Sequence, residues 1–110
     1  MPKITPGGRW APYAKELGLS MQRLREARGL SQERVAYDSG MSRYTYQKFE
    51  KGESMPGTPA NPSLRNVMAI AQVLGVTLDE LLPRPWPDLH AVFSQVGVSC
   101  FVTNFFRFSA

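Results

Sequence analysis

Cysteine and histidine are nearly missing from this 110-residue chain, which has one of each, Cys100 and His90. One cysteine cannot close an intrachain disulfide, and one Cys with one His falls short of the four ligands of a structural zinc site. No apolar run approaches the roughly 18 residues that a membrane-crossing helix needs. The opening Met1-Pro2-Lys3-Ile4-Thr5-Pro6-Gly7-Gly8 lacks the apolar stretch of a secretion signal. The expectation is a cytoplasmic protein with no metal, no cofactor and no membrane partner. His90 and Cys100 are also the one pair that could be read as base and nucleophile. Nothing supplies a third residue to orient them, and a lone Cys in an apolar stretch is usually a packing residue. No enzyme activity is expected.

What is present is a hydrophobic content of 43%, enough for one packed domain with tails. The net charge of +4 is unevenly spread. Residues 17–52 hold seven Lys or Arg against four acids, whereas residues 53–82 hold one against three. A basic front half permits contact with nucleic acid without proving it.

Residues 1–16 contain three Pro and two Gly and read as an extended basic arm. Its Lys3 and Arg9 could enter a minor groove or simply belong to a loose terminus. Helical periodicity starts at Leu17, with Met21 and Leu24 on the same stripe. Gly29 suits a left-handed helix end. Ser31 is the cap of a second helix, with Glu33 in its first turn and Val35 and Ala36 on its buried face. Gly40 closes that helix, Met41 plugs the core, and Ser42 opens a third helix that stops at Gly52. Residues 53–62 hold three Pro and one Gly and read as a loop. Asn61 or Ser63 caps a fourth helix, with Pro62 suited to its first turn and Leu64, Val67, Ile70, Ala71 and Leu74 facing inward. Thr77 and Glu80 form a capping box for a short fifth helix, where Leu78, Leu81 and Leu82 face in and Pro83 ends the pattern. The fold class is therefore all-α, with five short helices over residues 17–82.

Residues 32–51 carry the functional reading. Two helices meet at a tight corner at Gly40, and small Ala36 lets them approach. At about 100° per residue, Arg43, Gln47, Lys51, Tyr44 and Lys48 fall within one arc of about 140° on the third helix. Thr45, Tyr46, Phe49 and Glu50 fall on the other side, where Tyr46 and Phe49 fill the space beneath. A face of Arg, Gln, Tyr and Lys suits a major groove. Arg pairs with guanine O6 and N7, Gln with adenine N6 and N7, and Lys with phosphates. Such a face on a short helix can also be merely solvated, and Tyr44 can pack instead of read.

Leu17-Gly18, Leu24-Arg25, Gly29-Leu30-Ser31-Gln32, Val35-Ala36, Gly40-Met41-Ser42, Phe49-Glu50-Lys51-Gly52, Leu64, Ile70-Ala71 and Leu74-Gly75-Val76 resemble the Cro/cI (XRE) helix-turn-helix family. The resemblance spans about residues 17–82. It implies a five-helix, lambda repressor-like domain that binds double-stranded DNA, usually as a homodimer, acting mostly as a repressor and sometimes as an antitoxin. It further implies that Gln32 bonds a phosphate and braces a base-reading side chain. Arg43, Tyr44 and Gln47 match base-reading positions, with Ser42, Lys48 and Lys51 beside them, and Arg25 and Glu50 match an internal salt bridge. Arg43 and Tyr44 stand where some phage repressors have glutamines. Residues 53–62 are longer than the usual connection.

Residues 83–110 begin with Pro83, Pro85 and Pro87 around Trp86, a stiff linker. Beyond them Val96, Val98, Cys100 and Val102 alternate, with Phe101, Phe105, Phe106 and Phe108 adding aromatic surface. The expectation there is a strand or hairpin that packs on the domain or pairs with the same segment of a second chain, and such a tail would also suit a protein partner. The alternatives to a repressor are an autoregulating antitoxin and a protein-interaction module that has lost DNA binding.

Overall fold

The computed structural model describes residues 9–90. Five helices run α1 (Trp10–Ala27), α2 (Gln32–Asp38), α3 (Arg43–Lys51), α4 (Leu64–Leu74) and α5 (Leu78–Leu81). A two-stranded antiparallel sheet, β1 (Glu53–Met55) and β2 (Thr58–Pro59), lies between α3 and α4. The domain is thus helical, with one small hairpin added to the all-α expectation.

Helix α1 begins seven residues before Leu17, so residues 10–16 are not an extended arm. Pro12 lies in the first turn, where a backbone N–H has no acceptor within the helix and its loss costs little. Trp10 and Tyr13 anchor this extra stretch. Their rings stand 5.5 Å apart, Trp10 Nε1 donates to the Ala60 carbonyl at 2.7 Å, and Tyr13 Oη donates to the Pro83 carbonyl at 2.9 Å. Arg9 pairs with Asp88 at 3.2 Å. The first eight residues of the expected arm, and the strand expected within 91–110 with Cys100, lie outside the described residues. At its other end α1 closes with the Leu30 N–H on the Arg25 carbonyl and the Gly29 N–H on the Glu26 carbonyl, a Schellman pattern.

The next three helix starts use hydroxyl caps. Ser31 accepts from the Arg34 N–H, Ser42 from the Thr45 N–H and Ser63 from the Asn66 N–H. Ser63, not Asn61, is therefore the α4 cap, and Pro62 precedes the helix. Thr77 and Glu80 make the reciprocal bonds of a capping box at α5. Between α2 and α3 the chain turns at Gly40, whose φ of 76° a side chain would oppose.

Residues 53–62 are not a simple loop. Met55-Pro56-Gly57-Thr58 has Pro and Gly at the two central positions of a turn, and Gly57 has φ 83°. Met55 then pairs with Thr58 and Glu53 with Pro59, with an irregularity around Ser54.

The core joins Tyr13, Leu17 and Met21 of α1, Val35 and Ala36 of α2, Tyr46 and Phe49 of α3, Val67, Ile70, Ala71 and Leu74 of α4, and Leu81 of α5. Each large aliphatic among them contributes about 1.5–3 kcal/mol by leaving water. Leu64, expected inside, is 70% exposed. The buried residues of α4 centre about 70° away from it around the axis, and it sits in the first turn at the margin of the core.

One polar cluster ties the first three helices together. Glu50 accepts from Arg25 Nε at 2.6 Å and Arg25 Nη2 at 3.2 Å, from Tyr46 Oη at 2.6 Å and from Gln32 Nε2 at 2.8 Å. Arg25 and Glu50 side chains are only 12% and 5% exposed. Burial alone would raise the Glu50 carboxyl, but the hydrogen bonds from Arg25, Tyr46 and Gln32 outweigh it and hold it below the ordinary 4.5. Burial and the adjoining carboxylate push the Tyr46 phenol far above its ordinary value, so it stays a donor.

Helices α1 and α3 also touch backbone to backbone. A Cβ on Gly18 would fall 2.4 Å from the Glu50 carbonyl oxygen and 2.6 Å from that of Phe49. Gly18→Ala gains up to about 1 kcal/mol of helix propensity. It should nonetheless lower stability by roughly 1–3 kcal/mol, because backbone must move to admit the methyl. Urea denaturation checks this, and an unchanged or raised midpoint contradicts it.

Because the Glu50 carboxyl is depressed in the fold, its contribution is present above the unfolded value near 4.5 and is lost as pH falls through the lower folded value. Between neutral pH and about pH 3, wild-type stability should fall further than that of Glu50→Gln. At neutral pH Glu50→Ala should cost on the order of 3 kcal/mol, since it strands a nearly buried guanidinium. Parallel pH profiles for wild type and Glu50→Gln would refute the assignment.

Candidate nucleic-acid interface

The two faces of α3 divide cleanly. Tyr46, Phe49 and Glu50 are buried, while Arg43, Tyr44, Gln47 and Lys51 are exposed and Lys48 is half-exposed. The helix is held from below by the core and from the side by α2, so its outer face is presented on a fixed base.

The exposed side chains differ in how far they are already engaged. The side chains of Arg43, Gln47 and Lys51 make no hydrogen bond or ion pair among the described residues. Tyr44 is 68% exposed, so it does not pack in the core, and Lys48 Nζ lies 4.2 Å from the centre of its ring. That cation–π contact orders both groups before any ligand arrives. The Ser42 hydroxyl caps α3 and also donates to Thr45 Oγ1 at 3.0 Å. Gln32 gives an amide hydrogen to Glu50, which fixes its side chain at the start of α2 and leaves its carbonyl oxygen unengaged.

Two adjoining depressions gather these residues. One runs beside α3 and is lined by Gln32, Tyr44, Gln47, Lys48 and Lys51 together with Ser54 and Met55 of β1. The other lies between the starts of α2 and α3 and is lined by Arg25, Ser31, Gln32, Glu33 and Arg43. They share Gln32. Glu50 borders the first, but its charge is matched by Arg25. Glu53 borders the first as well and lies 3.9 Å from Lys15, while Glu33 in the second has no ion-pair partner among the described residues; Arg43, Lys48 and Lys51 outnumber it, so the region keeps a net positive charge, as an anion-binding surface requires.

Besides Gln22 of α1, the residues lining the first depression that sequence reasoning left out come from the hairpin: Glu53, Ser54, Met55 and Pro56. Their signal was the Pro56-Gly57 turn, which folds the chain back beside α3 instead of leading it away. Arg65 is a second omission. Its Nη1 donates to the Ser39 carbonyl at 2.9 Å, so α4 braces the α2–α3 corner. The mate proposed for a nucleophile is placed elsewhere. His90 contacts Asp88 at 2.5 Å, at the far end of the described chain. Among the described residues no three His, Cys, Asp or Glu side chains come together as a metal site. No described helix is long and apolar enough to cross a membrane.

Comparison with known proteins agrees with this geometry. A family model described as a helix-turn-helix domain matches residues 16–83. The crystal structure of the restriction-modification controller protein C.AhdI from Aeromonas hydrophila is similar, with 34% sequence identity and a TM-score of 0.55, covering 62% of this chain and 94% of that one. No curated protein matches the chain significantly. Five helices with α2 and α3 as the motif, a cationic outer face on α3 and a family match over more than half the sequence lead to one assignment: the chain belongs to the Cro/cI-type (XRE-like) helix-turn-helix family of DNA-binding transcriptional regulators.

Proposed function

We propose that the protein is a sequence-specific repressor that binds an inverted repeat as a homodimer, each α3 entering a major groove. The observation that carries this reading is the outer face of α3, where Arg43 and Gln47 stand exposed and unengaged beside Tyr44. Arg43 and Gln47 are the base readers, with Tyr44 offering its ring to a base edge or a thymine methyl. Lys48 and Lys51 hold phosphates, and Gln32 and Ser42 hold the backbone near the helix starts. A two-fold dimer sets the two helices about 34 Å apart, one turn of the duplex. Occupying a promoter in this way blocks transcription.

The likeness to C.AhdI favours a second, narrower role, control of restriction-modification genes, on the same DNA-reading surface. An antitoxin would bind DNA in the same way and differ by its protein partner. A module that has lost DNA binding would leave Arg43, Gln47 and Lys51 without a task.

Selection of binding sites from random duplexes, followed by light scattering on the complex, tests the reading. An enriched inverted repeat bound by two chains supports it; a chain that enriches no sequence overturns it. Gln47→Ala should cost about 1–3 kcal/mol at one base pair and relax the preference there. Lys51→Gln should weaken selected and random duplexes alike and flatten the dependence of log K on log salt by about 1. The reverse pattern would exchange the roles of the two residues.

A further inference from the structure

The helix-turn-helix match covers residues 16–83, and the described chain on either side of it is joined into a unit of its own. Arg9 and the first turns of α1 form one half, and residues 84–90 form the other. Arg9 Nη1 donates to the Asp88 carbonyl at 2.9 Å and pairs with the Asp88 carboxylate at 3.2 Å. Tyr13 holds the Pro83 carbonyl, and Trp10 holds the Ala60 carbonyl. Arg84 pairs with Asp79 and lies 5.8 Å from the centre of the Trp86 ring. None of these residues lines either depression beside α3.

This platform is tied down, yet it leaves two large apolar side chains in water. Trp86 is 63% exposed and Leu89 is 58% exposed. They stand three residues apart in a stretch anchored to α1 at Pro83 and again at Asp88. Pro85 and Pro87 fix the backbone on both sides of Trp86. Much of the ordering that docking would demand is therefore already in place. The chain that leaves the platform has a matching composition. Residues 91–110 hold five of the six phenylalanines, no acid and a single base, Arg107. Twelve of those twenty residues are apolar, and so short a segment cannot cover them all by itself.

We propose that the platform is the docking site for residues 91–110 of the same chain, with Phe101 and Phe105 packed on Trp86 and Leu89. Aromatic rings on an indole bury large apolar area and gain further from ring–ring contact. With a single charge in the segment, docking desolvates almost nothing that water holds strongly. Residue 91 follows Leu89 by two positions, and the ten residues from 91 to 100 reach up to about 33 Å, enough to turn back onto Trp86. A segment tethered so closely meets the platform at an effective concentration on the order of millimolar, which favours it over a second copy in dilute solution. Because no platform residue lines the depressions beside α3, the docked segment leaves that face open.

The chain has two tryptophans, so the Trp86 indole N–H can be followed by NMR beside that of Trp10. Its exchange with water is compared in the full wild-type chain and in the double variant Phe101→Ser, Phe105→Ser. Both substitutions lie outside residues 9–90, so the helical circular dichroism should not change. The Trp86 indole should exchange about tenfold faster in the variant, while the Trp10 indole keeps its rate. Equal Trp86 rates in the two chains overturn the docking. Cys100, the sole cysteine, then separates one chain from two. Isotope-labelled wild type is refolded from urea together with unlabelled chain carrying a nitroxide on Cys100. The Trp86 signal should keep its intensity. A signal that fades, and returns when the nitroxide is reduced, gives the site to a second copy and overturns docking within the chain.

Discussion

The carboxylate of Glu50 is the point on which three helices agree. Taking a charge out of water costs several kcal/mol, and such a group persists only where its lone pairs are filled. Here they are filled by two nitrogens of Arg25 from α1, the phenol of Tyr46 from α3 and the amide of Gln32 from α2. Hydrophobic contacts among Val35, Ala36, Tyr46 and Phe49 bring α2 and α3 together but tolerate small rotations. Hydrogen bonds to one buried carboxylate tolerate far less, because a rotation that lengthens one leaves a charge partly unmatched. Arg25 adds a further bond from Nη1 to the Leu30 carbonyl at 2.9 Å, which extends the constraint to the α1–α2 corner. The angle of α3 to its neighbours is set by this cluster, and the direction of its outer face follows.

How much of this could be read from the residues alone depends on whether the signal is local. Helix ends were legible because Ser31, Ser42, Thr77, Gly29, Gly40, Gly52 and Gly75 act through bonds within a few positions of themselves. The division of α3 into two faces was legible from angular spacing. Three things were not. The start of α1 was hidden because Pro12 reads as a breaker, and only its place in a first turn makes it harmless; that place is decided by Trp10 and Tyr13 reaching Ala60 and Pro83, fifty and seventy positions away. The hairpin was hidden because three prolines in ten residues outweighed the Pro56-Gly57 turn within them. Leu64 was misjudged because a stripe of apolar residues does not say where the core ends. In the site, the exposed face was legible, whereas the Tyr46 and Gln32 bonds to Glu50 were not, since they join side chains that only the folded packing brings together.

The electrostatic arrangement has a logic of its own. An interface for a polyanion would gain from the removal of every acid near it, yet Glu50 and Glu53 both border the depression beside α3. Each is bound to a cation that belongs to α1, Arg25 or Lys15, and not to α3. The cations of α3 itself, Arg43, Lys48 and Lys51, are thereby left unspent by internal pairing. Structural charge is thus paired among elements, while the charge of the presented helix remains available. Exposed pairs such as Arg34 with Asp38 at 2.9 Å lie apart from both depressions and contribute little to stability.

Order among the outward side chains divides the labour of recognition further. Immobilising a long side chain on binding costs roughly 0.5–1.5 kcal/mol. Tyr44 and Lys48 have already met part of that cost through their mutual contact, and Gln32 has met it through Glu50. Arg43, Gln47 and Lys51 have not, so each must recover its ordering from the bonds it makes to the ligand. If Arg43 and Gln47 read bases as proposed, a correct base pair returns two hydrogen bonds to either, and a wrong one returns fewer while the entropy is lost all the same. On the proposed reading, discrimination therefore concentrates at Arg43 and Gln47, and the free Lys51 recovers its ordering from a phosphate whatever the sequence. On the same reading, the pre-ordered Gln32 and Lys48 fix position on the backbone, and Tyr44 meets its base already held by Lys48. On the proposed reading, a rigid frame built around a buried carboxylate and a few mobile readers mounted on it are complementary requirements, and the same helix meets both because its two faces are so differently engaged.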